Sequence, residues 1–143
     1  MVVKASDYET KSAPKSWAQI MAARHALSKY PECEYIWLLD QHSYIMSKSK
    51  SLEDQVLDSK RLESLMIKDY PVVPPDSIIK TFAHLQPEDV EMIASQDRSG
   101  LLSSSLIIKN GDWAKFLLEL WLDPLYRSYN FQKAERHALV SLG

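Results

Sequence analysis

The run from Tyr35 to Leu39 constrains the fold of this chain more than any other feature. Its five residues are aromatic, β-branched or leucine, and Asp40 ends the run abruptly. An apolar run of this length and composition is typical of a strand buried in an α/β sheet. Ligands bind outside the carboxyl ends of strands in open α/β sheets, so Asp40 and His42 are predicted to lie at a ligand site.

Composition places the chain in an ordinary globular class. Its 143 residues are 45% hydrophobic and 25% charged, which suits one domain with a buried core. The net charge of −2 argues against a nucleic-acid partner, because affinity for phosphate backbones comes from clustered Lys and Arg. Cys33 is the only cysteine, so no internal disulfide forms. No apolar stretch reaches the roughly 18 residues expected of a transmembrane helix.

The first half of the chain is predicted to contain a helix, a strand and a second helix. Pro14 suits the first turn of a helix that ends at 30–32, and the strand covers 34–39. Residues 44–46 are a candidate for a further short strand. Ser51, with an acidic residue three positions later, caps the second helix.

The second half is predicted to continue with strands and helices. Three prolines make 70–76 an extended loop, whereas 87–97 reads as a helix start or as a strand. A strand over 103–108 is followed by a turn, Asp112 caps a helix, and 133–142 forms the last helix. The apolar face of the helix after Asp112 is predicted to enter the core: Trp113, Phe116, Leu117, Leu120 and Trp121.

Asp40 and His42 are the candidate metal ligands. If strand geometry persists past Leu39, both side chains point at one cation, because residues i and i+2 of a strand share a face. Carboxylate oxygen suits Mn²⁺ or Mg²⁺, and imidazole suits Mn²⁺ better than Mg²⁺. The plainer interpretation is that Asp40 caps the following turn and His42 is a surface histidine, and spacing alone favours it.

Other polar residues are candidates for ligand contacts. Gln96 and Asp97 follow an apolar run in the same way as Asp40, although they could equally open a turn. Three serines at 103–105 allow a close backbone approach to a ligand, or form a polar strand edge. Glu135 lies near the start of the last predicted helix, where the helix dipole favours an ionised carboxylate and where capping residues are also common.

Three blocks of sequence carry a resemblance to a known family. The first, Trp17 to Met46, contains YPECEYIWLLDQHSYIM; the second runs from Gln96 to Trp113; the third follows Trp121 and contains DPLYRSYNFQKAE. Together they resemble glycosyltransferase family 34, the galactosyltransferases and α-1,6-mannosyltransferases of fungi with their plant xylosyltransferase relatives. The third block is most similar to the mannosyltransferase branch.

The resemblance implies a GT-A fold, a Rossmann-type α/β sandwich that uses a nucleotide sugar and Mn²⁺ and retains the configuration at the anomeric carbon. It also implies a type II membrane protein facing the Golgi lumen. By position, Asp40 and His42 match the metal motif, and Glu135 matches an acidic residue near the reacting sugar. The substrate-binding residues are then expected to be Gln41, Gln96, Asp97, Ser104 and Ser105.

The chain also departs from the family pattern. A glycine usually stands where this chain has Ser104, whose β-carbon would crowd a closely approaching ligand. Residues 1–13 hold no strong opening strand, and the downstream His-Gly segment of the metal site is missing. Both ends therefore look truncated, and 1–143 is expected to be one partial GT-A domain with a poorly structured start.

The leading hypothesis is a retaining α-1,6-mannosyltransferase that uses GDP-mannose in Golgi mannan or N-glycan elongation, with UDP-galactose as the alternative donor. A second hypothesis is a non-catalytic subunit or inactive fragment that supports a mannosyltransferase complex, with Trp121 to Tyr129 as its interaction surface. A third is an unrelated α/β binding domain. The sequence leaves the donor sugar, the acceptor linkage and the partners open.

Overall fold

The computed structural model describes residues 1–10, 13–73, 75, 77–98, 100–128, 135, 138 and 139. Within them the chain is mixed α/β, which confirms the predicted class at that level. Three strands form one antiparallel sheet in the order β1-β3-β2: β1 is Tyr35–Leu39, β2 is Met92–Asp97 and β3 is Gly100–Lys109. Both outer strands run antiparallel to β3, so their carboxyl ends lie at the same end of the sheet.

Among the described residues, four α-helices with defined bounds accompany the sheet: α1 is Ala18–Lys29, α2 is Ser59–Leu65, α3 is Asp112–Trp121 and α4 is Pro124–Ser128. Short 3₁₀ turns cover Ala5–Asp7, Lys15–Trp17 and Pro87–Asp89, and a π-helical turn covers Glu53–Leu57. None of the helices described is long and apolar enough to cross a membrane.

The helix predicted behind Pro14 is present. Pro14 precedes the 3₁₀ turn that leads into α1, and the backbone N–H of Tyr30 closes its last turn on Ala26. Its inner face is fully buried at Trp17 and Ile20. Burial of this face against the sheet stabilises α1 more than its propensity does, because a 12-residue helix is marginal alone in water.

The main core lies between one face of the sheet and helices α1 and α3. β3 supplies two of its fully buried side chains, Leu106 and Ile108. These are joined from the helices and the last described residues by Trp17, Ile20, Ala23, Leu27, Ala114, Leu118, Trp121, Leu122, Ala138 and Leu139.

The prediction for the buried face of α3 is right at Leu117 and Trp121 and wrong at its other three positions. Trp113, Phe116 and Leu120 expose 42%, 63% and 37% of their surface. The buried stripe instead consists of Ala114, Leu117, Leu118 and Trp121. A hydrophobic pattern this broad fits two neighbouring stripes of a helix, and packing against α1 in the shared core selects one of them. The burial of Trp121 also contradicts its assignment to an interaction surface; Tyr129 lies outside the described residues.

Three local predictions need correction. Gly111, not Asp112, occupies the N-cap position of α3. Residues 44–46 form no strand and are exposed. The helix started by Ser51, whose hydroxyl accepts from the Asp54 N–H at 3.0 Å, ends at Asp58, which caps α2 separately through the N–H of Arg61.

The remaining segments agree with the sequence where they are described. Residues 87–97 hold a short 3₁₀ turn followed by β2, so the helix start and the strand predicted for this segment are each confirmed in part. The described part of the 70–76 loop makes one bridge, from Pro71 to Lys80. Of the helix predicted over 133–142, residues 135, 138 and 139 are helical, and the others lie outside the described residues.

Candidate functional site

Asp40 lies in a turn, not in the strand. β1 ends at Leu39, and the Asp40 N–H donates to the carbonyl of Ser104 at 3.0 Å. Its Oδ1 accepts from the backbone N–H of His42 at 2.8 Å and from the hydroxyl of Ser43 at 3.1 Å. The premise that strand geometry continues to His42 is therefore wrong, and the aspartate does cap the turn that follows it.

The same turn nevertheless brings Asp40, Gln41 and His42 to one cleft. The cleft has a volume of about 530 Å³ and is bounded by the N-terminal segment, the start of α1, the end of β1 and Glu135. An adjoining, more apolar groove continues along β1. The cleft is lined by Val3, Lys4, Ala5, Lys15, Ser16, Ala18, Gln19, Ala22, Leu38, Leu39, Asp40, Gln41, His42, Ser103 and Glu135.

Asp40 and His42 are the residues of the cleft that could hold a cation. Asp40 is half-buried, and its Oδ1 is engaged in the turn. His42 is exposed, and the Gln41 amide lies 3.1 Å from its Nε2. No group of three or more His, Cys, Asp or Glu side chains suited to a metal occurs in the described part of the chain. Two ligands leave a metal site incomplete, so a cation held by this pair would take its other ligands from phosphate and water.

Glu135 forms the floor of the cleft and exposes only 7% of its surface. Its Oε1 accepts from the Ser103 hydroxyl at 3.2 Å and from the Gln19 amide at 3.3 Å, and its carbonyl accepts from the indole N–H of Trp121 at 2.8 Å. Its Oε2 is buried and has no hydrogen-bond partner among the described residues. A buried oxygen in this state costs about 1–3 kcal/mol, and more when charged.

The structure separates the three serines of β3. Ser104 contributes its carbonyl, which accepts from the Asp40 N–H and from the Ser43 hydroxyl. The Ser105 hydroxyl accepts from the indole N–H of Trp37 at 3.2 Å. Only Ser103 lines the cleft. The run of small residues marks the segment that contains Ser103, but an irregularity in the β2–β3 pairing breaks the alternation that would predict which serine faces the cleft.

Gln96 and Asp97 do not line this cleft. The Gln96 amide donates to the carbonyl of Pro71 at 2.7 Å and lies 3.3 Å from that of Val72, so it anchors the proline-rich loop. Both residues line a separate depression beside Tyr70. The structure therefore does not bring these two predicted substrate-binding residues together with Asp40.

Two lysines give the cleft a basic edge. Lys4 and Lys15 line it and are exposed. Neither forms an ion pair with a described carboxylate. The cleft therefore combines a positive edge, a carboxylate–imidazole pair and a buried carboxylate floor. Sequence reasoning singled out neither lysine, nor Gln19, because none of them belongs to a recognisable motif.

Comparison with known proteins identifies the family. The model of the galactosyl transferase GMA12/MNN10 family matches residues 1–142. The chain belongs to this family. The resemblance to glycosyltransferase family 34 is thereby confirmed, and no solved structure matches the chain.

Fungal members of the GMA12/MNN10 family are similar to most of this chain. An uncharacterized alpha-1,2-galactosyltransferase of Schizosaccharomyces pombe is 40% identical over 89% of this chain and 39% of its own length. Two probable alpha-1,6-mannosyltransferases of Saccharomyces cerevisiae are 32% and 34% identical over 90% and 87% of the chain, and over 33% and 29% of their own lengths. The chain thus spans about a third of the length of these relatives.

Proposed function

We propose that the cleft is the diphosphate and sugar site of a retaining, metal-dependent hexosyltransferase of the GT-A type. The observation that carries this proposal is the convergence of Asp40, His42 and Glu135 on one cleft. These residues come from two distant parts of the sequence. Their chemistry suits the two halves of a nucleotide sugar: a cation for the diphosphate, and a carboxylate for the sugar.

The diphosphate would lie toward the turn after β1 and the basic edge. Asp40 and His42 would hold Mn²⁺ there, with Gln41 in contact with the substrate, and the ion would supply positive charge that offsets the charge on the departing diphosphate. Lys4 and Lys15 at the basic edge would attract the same anion, because opposite charges a few ångströms apart attract one another.

Glu135 would face the sugar. A carboxylate close to the anomeric carbon stabilises the cationic character that develops when the bond to the leaving group breaks. Glu135 is buried whereas His42 is exposed in the same cleft, and this difference supports the division of roles.

Two donors remain as candidates. The third sequence block and the two relatives named as probable alpha-1,6-mannosyltransferases favour GDP-mannose and a mannan or N-glycan acceptor in the Golgi lumen. The relative with 40% identity is named as an alpha-1,2-galactosyltransferase, which favours UDP-galactose. A direct comparison of the two nucleotide sugars decides between them.

Titration calorimetry of the chain with GDP-mannose and UDP-galactose, each with and without Mn²⁺, tests the proposal. One donor is expected to release heat only with Mn²⁺. Asp40→Asn keeps an oxygen that accepts from His42 and Ser43 but removes the charge, so it should abolish the Mn²⁺-dependent heat while leaving the thermal midpoint unchanged. Asp112→Asn is the matched control, because Asp112 is fully exposed and remote from the cleft.

Two results would contradict the proposal. Unaltered Mn²⁺-dependent binding by Asp40→Asn would remove the metal role of Asp40. An absence of heat with both donors, from a chain with a cooperative thermal transition, would instead favour the non-catalytic subunit that supports a mannosyltransferase complex.

A further inference from the structure

A small polar cluster lies beneath the cleft. Gln19 extends from α1 and Ser103 from β3, and both donate to the same oxygen, Oε1 of Glu135. Gln19 and Glu135 are 116 positions apart in the sequence. The cluster therefore joins a helix and a strand through one carboxylate oxygen.

Hydrogen bonds fix the orientation of Glu135 at its backbone carbonyl and at its side-chain carboxylate. The Glu135 carbonyl accepts from the indole N–H of Trp121, a residue with no exposed surface. Two donors from two elements then hold Oε1. An oxygen that already accepts two hydrogen bonds has used both of its lone pairs, so the carboxylate can take a further donor only at Oε2.

The geometry of this carboxylate limits the chemistry of its ligand. A guanidinium binds a carboxylate through both oxygens, and Oε1 of Glu135 is already occupied. A phosphate is an anion and would be repelled. A single hydroxyl meets the requirement, because an O–H donor forms a short, strong hydrogen bond to one carboxylate oxygen.

We propose that Gln19 and Ser103 are positioning residues that hold Glu135 so that Oε2 accepts from a hydroxyl of the hexose in the bound nucleotide sugar. This inference rests on the proposed function, in which Glu135 faces the sugar, and adds the two residues that orient Glu135 and the hydroxyl contact made by Oε2. The sugar, not the diphosphate, lies on the floor of the cleft.

The test compares a nucleotide sugar with the corresponding nucleoside diphosphate, GDP-mannose with GDP and UDP-galactose with UDP, by calorimetry in Mn²⁺. The nucleotide sugar is expected to bind more tightly than the diphosphate to the unaltered chain. Ser103→Ala and Gln19→Leu should each weaken binding of the nucleotide sugar about tenfold and leave binding of the nucleoside diphosphate unchanged. Ser103→Thr keeps the hydroxyl and should restore most of the affinity.

Ser64→Ala and Gln86→Leu are the control variants, since each removes the same chemical group from an exposed position outside the cleft. Both should bind the two ligands as the unaltered chain does. Glu135→Gln should weaken the preference for the nucleotide sugar, because an amide nitrogen in place of Oε2 can only donate to the hydroxyl and a neutral hydrogen bond replaces a charge-assisted one.

Three outcomes would overturn the inference, and they differ from one another. Equal weakening for both ligands, with a lowered thermal midpoint, would show that Gln19 and Ser103 serve only the fold. Equal affinity of the unaltered chain for both ligands would exclude a sugar contact and leave the diphosphate site standing. Absence of binding to either ligand would remove the proposed function as well.

Discussion

The two ends of the central strand β3 differ in whether their polar groups have hydrogen-bond partners. At the end beyond Lys109, the side-chain amide of Asn110 donates to the Cys33 carbonyl at 2.8 Å and lies 3.4 Å from the carbonyls of Tyr30 and Pro31. The Asn110 N–H donates to the carbonyl of Glu34 at 2.7 Å. Asn110 thus supplies hydrogen-bond donors to the backbone carbonyls of the turn between α1 and β1.

At the cleft end of β3, polar groups remain available. Glu135 keeps one buried oxygen without a partner among the described residues, and His42 and Lys15 are exposed at the same cleft. The contrast separates two uses of polar residues. Groups that satisfy one another stabilise the fold, whereas a buried group left unsatisfied in a cleft indicates a ligand that completes it.

Asn110→Ala should have the largest effect on stability. It removes the donor from the partly buried carbonyls of Tyr30 and Cys33 and from an exposed contact with Pro31, so we expect the free energy of unfolding in urea to fall by about 2–4 kcal/mol. Gln86→Ala is the control, because its amide makes one exposed contact of 3.3 Å with the His84 carbonyl. Equal losses for the two variants would remove the structural role assigned to Asn110.

Gly100→Ala tests the start of β3, toward the cleft end. Gly100 has a φ of +105°, and an added Cβ would lie 2.9 Å from the carbonyl oxygen of Val72. Backbone strain and this contact should lower the free energy of unfolding by about 2 kcal/mol. Gly111→Ala is the matched control, since Gly111 has extended backbone and its nearest neighbour would be Glu91 Oε2 at 3.9 Å. A smaller loss at Gly100 than at Gly111 would contradict the argument.

Glu135→Gln should change stability little, although Glu135 is more deeply buried than Asn110. The amide oxygen still accepts from Ser103 and Gln19, and an amide costs less to bury than a carboxylate. We expect a free energy of unfolding within about 1 kcal/mol of the unaltered chain. A fall in the free energy of unfolding as large as that of Asn110→Ala would show that the carboxylate stabilises the fold and would contradict its role as a ligand contact.

The smallest effect on stability is expected from a change of Tyr8, which lies away from both ends of β3. Burial, and secondly the negative charge of Asp7, raise the pKa of Tyr8 above its ordinary value of 10.0. The folded chain then holds this proton more tightly than the unfolded chain. Its contribution to stability is complete below pH 10 and is lost as the pH rises through the folded pKa.

Thermal unfolding between pH 8 and 12 measures this contribution. Tyr8→Phe should remove it, together with the 3.0 Å hydrogen bond to Nδ1 of His25, and Tyr44→Phe at an exposed position should not. Identical pH profiles for Tyr8→Phe and the unaltered chain would contradict the assignment.

The sequence by itself determined most of the local elements, the mixed α/β class and the family. The apolar run 35–39 and the helical spacing behind Pro14 specify β1 and α1, because period and capping are local properties of the chain. The apolar run pointed to Asp40 and His42, and the start of the last predicted helix together with the family resemblance pointed to Glu135; all three line one cleft.

Tertiary structure alone decided which groups face one another. The inward stripe of α3 depends on what packs against it, and the choice of Ser103 over its neighbours depends on irregular pairing within the sheet. The role proposed for Gln19 follows only from its hydrogen bond to Glu135, which lies 116 positions away in the sequence. Local patterns fix the period of each element, but its rotation and register are set by distant partners, which no local pattern contains.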